Sequence, residues 1–140
     1  MKTYIGTKII EAVREDRRTH ERCDEGYKVV YPDGYESWSP KDAFEAAYRT
    51  SGAFNFGHAL LLLNAGRSVA RAGWNGKGMF LYLVPPGNYP ARTDIAKAHW
   101  GDDGLVPYGA YIAMRTAQGN VVPWLASQTD MLGEDWELVE

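Results

Sequence analysis

Short apolar runs that alternate with a period of two, each closed by turn-forming residues, constrain this chain more than any other feature. Successive side chains of a strand face opposite sides, so such runs need partner strands and a layer to cover the apolar face. Tyr27-Lys28-Val29-Val30-Tyr31, then Pro32-Asp33-Gly34, then Tyr35-Glu36-Ser37-Trp38 predicts a first β-hairpin. Ser68-Val69-Ala70-Arg71 and Met79-Phe80-Leu81-Tyr82-Leu83-Val84 flank a glycine-rich connection in which Asn75-Gly76 is a strong turn signal, a second hairpin. Tyr111 to Thr116 and Val121 to Leu125 flank Ala117-Gln118-Gly119-Asn120, a third, with Pro123 favouring an edge or bulged position. Tyr4 to Val13 reads as a further strand and Asp135 to Glu140 as a terminal one.

Helical punctuation is sparser. Ser39 stands where an N-cap belongs, Pro40 at the first helical position and Asp42 in the first turn, which predicts a helix from Pro40 to about Arg49. Asn55 caps a second helix through Leu60 to Leu63, and Gly66 supplies the left-handed residue that closes it. Thr129 reads as the cap of a single turn through Leu132. Arg14 to Glu25, with nine charged residues of twelve, is a solvated loop or a short exposed helix, and Pro85 to Gly109 a long loop of the kind that often binds. The fold class expected is α+β, mainly antiparallel β-sheet with hairpins and two short helices. Thr50-Ser51-Gly52-Ala53 is the one small-residue connection, dividing a hairpin-helix module at 1–52 from a domain at 53–140.

At roughly 100–200 residues per domain, a chain of 140 residues holds one domain or a domain with a small appendage. Hydrophobic residues at 45% and charged residues at 24% exclude a disordered or fibrous protein. Fifteen Lys and Arg against eighteen Asp and Glu give a net charge of -3, without the basicity of a protein that binds polymeric nucleic acid. Cys23 is the only cysteine, which excludes an intrachain disulfide and any zinc site of two thiolates. No apolar run approaches the ~18 residues that span a bilayer, and no signal-peptide pattern follows Met1, so the expected location is the cytoplasm with no membrane partner.

Chemistry-bearing clusters are few. Asp102-Asp103 and Glu134-Asp135 read as solvated charges, and His99 near Asp102 is the best dyad available, with no serine placed beside it. His20 and Cys23 are only a pair, short of the three ligands a metal needs, so no metal or cofactor is expected. Gly76-Lys77-Gly78 matches neither the P-loop nor the dinucleotide fingerprint, and turn glycines explain it. Trp74 beside Asn75, and Trp124 ahead of Gln128, Thr129 and Asp130, place aromatic faces next to amides, a hydroxyl and a carboxylate. Aromatic faces stack on any base while the polar groups read its edge, although periodicity by itself favours core packing for both tryptophans. Trp38 and Trp136 lie in alternating runs and read as core.

Phe56-Gly57-His58-Ala59-Leu60 with Ala65-Gly66-Arg67, the block Val69 to Leu81, Tyr111-Ile112-Ala113-Met114, the block Val122 to Leu132, and Asp135-Trp136 occur in one order. Together they resemble the phage anti-defence proteins of the second Thoeris type, from about Phe54 to the C-terminus. Tyr4-Ile5-Gly6-Thr7-Lys8 and Gly34 to Lys41 resemble a module found ahead of this domain in some phage and prophage proteins.

The resemblance implies a non-enzymatic sponge, an oligomer and specifically a tetramer, that captures cyclic ADP-ribose-type signals. Some relatives also take cyclic dinucleotides at a separate site. Carried over by motif, Trp74 and Trp124 stack on adenine in a pocket between subunits, Asn75, Gln128, Thr129 and Asp130 read ribose hydroxyls or base edges, and Met114 lines the wall. Arg71 or Lys77 would offset pyrophosphate charge. Two other readings stay open at this point: a phosphodiesterase or glycosidase in which Asp130 attacks or activates water, and a phage structural or interaction protein.

Overall fold

The alternating runs pair as antiparallel strands throughout a computed structural model that describes residues 1–140. The fold is α+β, with several sheets and four short helices, and the backbone divides into two units, Met1–Thr50 and Ser51–Glu140. No helix is long and apolar enough to cross a membrane.

The first unit contains β1 (Glu11–Arg14), β2 (Arg17–Arg18), β3 (Cys23–Asp24), β4 (Gly26–Val30), β5 (Glu36–Pro40) and α1 (Lys41–Ala47). β4 and β5 form the expected hairpin, and Gly34 takes the turn position at φ 87°, its N–H donating to the Tyr31 carbonyl at 2.8 Å. β1 adds to the outer side of β4, giving the order β1-β4-β5. The core is small: Val29 and Phe44 are buried, and Phe44 stacks between Tyr27 and Tyr48 with centroid separations of 4.2 and 5.0 Å. Gly26 is required here, because a Cβ would fall 2.2 Å from the Trp38 ring.

Three expectations for this unit need correction. Residues 1–10 are not a strand, and Tyr4 and Ile5 stand exposed at 85% and 91%; their β-branched neighbours have no partner strand to pair with. The charged stretch after Arg14 contains the short β2–β3 pair rather than a helix. Ser39 does not cap α1, whose N-cap position is Pro40 with no side-chain bond, because Ser39 is still held in β5 opposite Tyr27.

The second unit runs α2 (Phe56–Asn64), β6 (Ser68–Arg71), β7 (Phe80–Val84), β8 (Gly87–Pro90), α3 (Asp94–Trp100), β9 (Leu105–Tyr108), β10 (Tyr111–Arg115), β11 (Val121–Pro123), α4 (Gln128–Leu132) and β12 (Trp136–Val139). The Asn55 side chain accepts the His58 N–H at 2.9 Å while His58 Nδ1 accepts the Asn55 N–H at 3.1 Å, a reciprocal cap on α2. Five strands form a sheet in the order β11-β10-β7-β6-β12, and α2 packs on β6, β7 and β12. Ala59, Leu62 and Leu63 of α2 bury against Val69, Leu81 and Trp136, with Leu83, Ile112, Met114 and Leu138 extending the same face. The free side of β12 is covered by its own unit: Phe54 exchanges both backbone hydrogen bonds with Trp136, and Ser51 Oγ accepts the Leu138 N–H at 2.8 Å.

The stretch after Pro85 is not a structureless loop. β8 and β9 pair with one another, and Thr93 caps α3 between them by accepting the Ala96 N–H at 3.1 Å. Their register continues that of β7 and β10: three residues on from Val84 and three back from its partner Tyr111 lie the paired Gly87 and Tyr108. β7 with β8 and β9 with β10 are thus one ribbon, interrupted at 85–86 and 109–110.

Candidate functional site

Trp136, completely buried, is the centre around which the candidate site is built. Trp74 and Trp124 both meet its ring edge-on, at centroid distances of 5.7 and 6.1 Å and interplanar angles of 75° and 85°. Phe56, the first residue of α2, packs on Trp136 at 5.6 Å and on Trp124 at 6.2 Å. Trp74 and Trp124 are only partly buried, so each uses one part of its surface as core and leaves another part open.

The positions of the two flanking indoles follow from backbone geometry. Trp74 is placed by a turn at the end of β6, its N–H donating to the Arg71 carbonyl at 3.2 Å. Trp124 follows β11, held by a bond from its N–H to the Ile112 carbonyl at 2.9 Å. The connection after Trp74 is anchored by Arg115, whose Nη1 donates to the Gly78 carbonyl at 2.7 Å. Gly78 has φ 71°, a left-handed conformation that favours glycine, and the absence of a Cβ leaves room for Arg115 Nη1 to approach its carbonyl.

Charge is organised by Arg71, which lies opposite Trp136 in the β6–β12 register. Its Nε donates to Asp135 at 2.9 Å and its Nη1 to Asp130 at 3.1 Å, and these side chains are 20%, 33% and 13% exposed respectively. Asp130 Oδ2 also accepts the Ser127 N–H at 3.0 Å and lies 2.8 Å from the Ser127 hydroxyl, while Ser127 Oγ accepts the Asp130 N–H at 3.1 Å. Burial by itself would raise the Asp130 carboxyl, but Ser127 and the Arg71 guanidinium outweigh it and hold it below the usual carboxylate range. Arg71 lowers Asp135 in the same way, against burial, with help from the Gly73 N–H. A third tie fixes α4: Trp136 Nε1 donates to the Asp130 carbonyl oxygen at 2.9 Å.

The structure therefore brings together Trp74, Trp124, Arg71 and the α4 residues Gln128, Thr129 and Asp130. Gln128 and Thr129 are exposed on the first turn of α4, and Thr129 Oγ1 lies 2.8 Å from Ser127 Oγ. Met114 is partly buried against the same core, while Asn75 and Lys77 follow Trp74 as exposed residues of the connection. Arg71 and Asp130 neutralise each other inside the unit. Lys77 is the cation of the set that stands exposed.

Sequence reasoning missed several supports. Asp135 is not a solvated charge but a partner of Arg71, a pairing across 64 residues that no local pattern announces. The cap of α4 is Ser127, not Thr129; the spacing Ser127-Thr129-Asp130 contained the capping-box signal three residues apart. His99 sits in α3 with its ring edge-on to Trp100 at 4.5 Å.

The second unit is a small α+β domain that holds two half-open indoles on a buried third, beside a capped helical turn. Comparison with known proteins gives the family. Residues 54–139 match the family described as Tad2-like, the Thoeris anti-defense 2-like domain, and the chain belongs to that anti-defence family. A protein named Thoeris anti-defense 2, from Bacillus phage SP01, is 36% identical over 85 residues, which cover 61% of this chain and 93% of the phage protein.

Proposed function

We propose that this chain is a sponge: it binds a cyclic ADP-ribose-type immune signal, glyco-cyclic ADP-ribose, and holds it without cleaving it. The observation that carries the reading is the pair of partly open indoles, Trp74 and Trp124, fixed on one buried ring. Membership of an anti-defence family supports a target in host defence, and the resemblance of the Trp74 and Trp124 motifs supplies the ligand class. Stacking of one base on an aromatic side chain contributes about 1–3 kcal/mol. Sequestration at low signal concentration needs roughly nanomolar affinity, about 12 kcal/mol, so polar contacts must supply the rest. Exposed Asn75, Gln128 and Thr129 are available for ribose hydroxyls and base edges, and Lys77 for the pyrophosphate.

The hydrolytic alternative loses support from the state of Asp130. A carboxylate that attacks or activates water needs a free oxygen, whereas both Asp130 oxygens are engaged by Arg71 and Ser127. Homo-oligomerisation, as a tetramer with the site between subunits, belongs to the same proposal. Leu125 at 90% exposure and Leu132 at 79%, on either side of the first turn of α4, support a subunit contact beside the site.

Titration of glyco-cyclic ADP-ribose into wild type, Trp74→Ala and Trp124→Ala tests the assignment, with a cyclic dinucleotide titrated in parallel. Each variant should weaken binding of the cyclic ADP-ribose by about 5- to 150-fold, the equivalent of one lost stacking contact. Because both rings also pack on Trp136, circular dichroism must accompany each titration. Unchanged affinity in both folded variants would remove the indoles from the site.

A further inference from the structure

The connection between β6 and β7 is not held by its own hairpin. The two strands pair at Val69 opposite Leu81 and no further, so no ladder runs on to the Asn75-Gly76 turn to fix it. Residues 72–79 bridge strand ends that have already separated, yet they include Trp74, Asn75 and Lys77 of the candidate site. The first part of the connection is tied to the start of β12: the Ala72 N–H donates to the Asp135 carbonyl at 2.9 Å and the Gly73 N–H to Asp135 Oδ2 at 3.2 Å. From Asn75 to Gly78 the backbone is tied by a single hydrogen bond, the 2.7 Å bond that Arg115 Nη1 donates to the Gly78 carbonyl.

Arg115, the last residue of β10, takes part in none of the ion pairs of the chain. Its guanidinium lies against the β10–β11 turn, with Nη2 3.7 Å from where a Cβ of Gly119 would stand. That turn is closed by the Thr116 N–H on the Asn120 carbonyl at 2.8 Å, by the Gly119 N–H on the Thr116 carbonyl at 3.0 Å, and by the Thr116 hydroxyl on the Asn120 side chain. The middle of the connection rests on the same turn. Gly76 is half-buried between the exposed Asn75 and Lys77, and a Cβ on it would fall 2.9 Å from the Ala117 Cβ.

We propose that Arg115 is a positioning residue for the ligand: it braces the connection against the β10–β11 turn and so holds Asn75 and Lys77 in place for binding, without itself touching the ligand. This role rests on the reading of the chain as a sponge for glyco-cyclic ADP-ribose. A segment that samples several arrangements binds with an affinity lowered by the fraction of chains in the competent one, so a brace raises affinity by ordering the site in advance. A cationic donor suits the task, because its hydrogen bond to a neutral acceptor is about twice as strong as a neutral one. Trp74 has its own supports on Arg71 and Trp136, which leaves Asn75 and Lys77 as the residues that depend on Arg115.

Two measurements on the full chain test this, with circular dichroism as the folding control. Hydrogen exchange of the ligand-free protein, read by mass spectrometry, should be faster over residues 75–79 in Arg115→Met and unchanged in α2. Titration of glyco-cyclic ADP-ribose should show Arg115→Met about 10-fold weaker than wild type, the scale of one hydrogen bond to a charged group. Added to Asn75→Ala/Lys77→Ala, the same substitution should cost almost nothing more, because the groups it positions are gone. If Arg115→Met fails to fold, Arg115→Lys, which keeps a cationic donor with a shorter reach, should show the same changes in smaller measure. Unchanged exchange or unchanged affinity would overturn the positioning role, and a full additional loss in the triple variant would replace it with direct contact between Arg115 and the ligand. A wild-type chain that does not bind glyco-cyclic ADP-ribose would overturn sequestration and this role together, whereas wild-type affinity retained by Arg115→Met would overturn this role alone.

Discussion

Arg71 does two jobs that a single surface cation could not. Its guanidinium joins β12, through Asp135, to α4, through Asp130, and it does so on the face where Trp136 is buried. Gly133 permits the approach, since a Cβ there would fall 2.9 Å from Arg71 Nη2. Removing the guanidinium leaves two poorly solvated carboxylates without a counter-charge, so Arg71→Gln should cost about 2–3 kcal/mol at neutral pH. The pH dependence has a defined sign. Both aspartates titrate lower in the folded chain than the ordinary value of about 3.9, so their stabilisation is complete above that value and is lost as pH falls through the lowered native values. Thermal denaturation from pH 7 to pH 2 should show the gap between wild type and Arg71→Gln closing below pH ~4. A gap that stays constant over that range would mean that Arg71 acts through packing and not through its charge.

At the scale of elements, α4 is the piece whose position matters most and whose intrinsic stability is least. Five residues make too short a helix to persist by propensity. It is held instead by the Ser127–Asp130 capping box, the Arg71 pair and the Trp136 bond to the Asp130 carbonyl. Ser127→Ala removes the cap and should cost about 1 kcal/mol of stability, and it should weaken ligand binding by more than that loss of stability does, because Gln128 and Thr129 ride on the first turn. Calorimetric titration and denaturant melts of the same variant give the two numbers for comparison; unchanged affinity would separate α4 from the site. The hairpins, α2 with its Asn55 cap, and the core place of Trp136 were legible because alternation and capping are local signals; Trp38, read as core by the same alternation, is only half-buried, paired with Lys28 and covered by the Arg17 guanidinium at 4.4 Å. β8, α3 and β9 were not legible: Pro, Gly and Asp there mark turns, and only the long-range register with β7 and β10 shows that the turns punctuate a ribbon. Trp74 and Trp124 could be picked out as a pair by resemblance, but their common support on Trp136 joins residues 62 and 12 positions apart and has no local signature.

For the whole molecule, the division into two units sets what each has to accomplish. The family match begins at residue 54, and the phage relative is aligned over 93% of its own length by 85 residues, so that relative has little room for a unit like the first fifty residues here. The second unit contains the larger core, the capped helices and every residue of the candidate site. Residues 51–140 alone should therefore give a cooperative thermal transition and bind glyco-cyclic ADP-ribose within threefold of the full chain; a much larger loss would assign part of the site to the first unit. The central claim, capture without chemistry, is tested most directly by saturating the full chain with glyco-cyclic ADP-ribose, removing excess, denaturing the protein by heat and identifying what is released. The account predicts one intact ligand recovered per occupied site, and recovery of a hydrolysed or ring-opened product would contradict it.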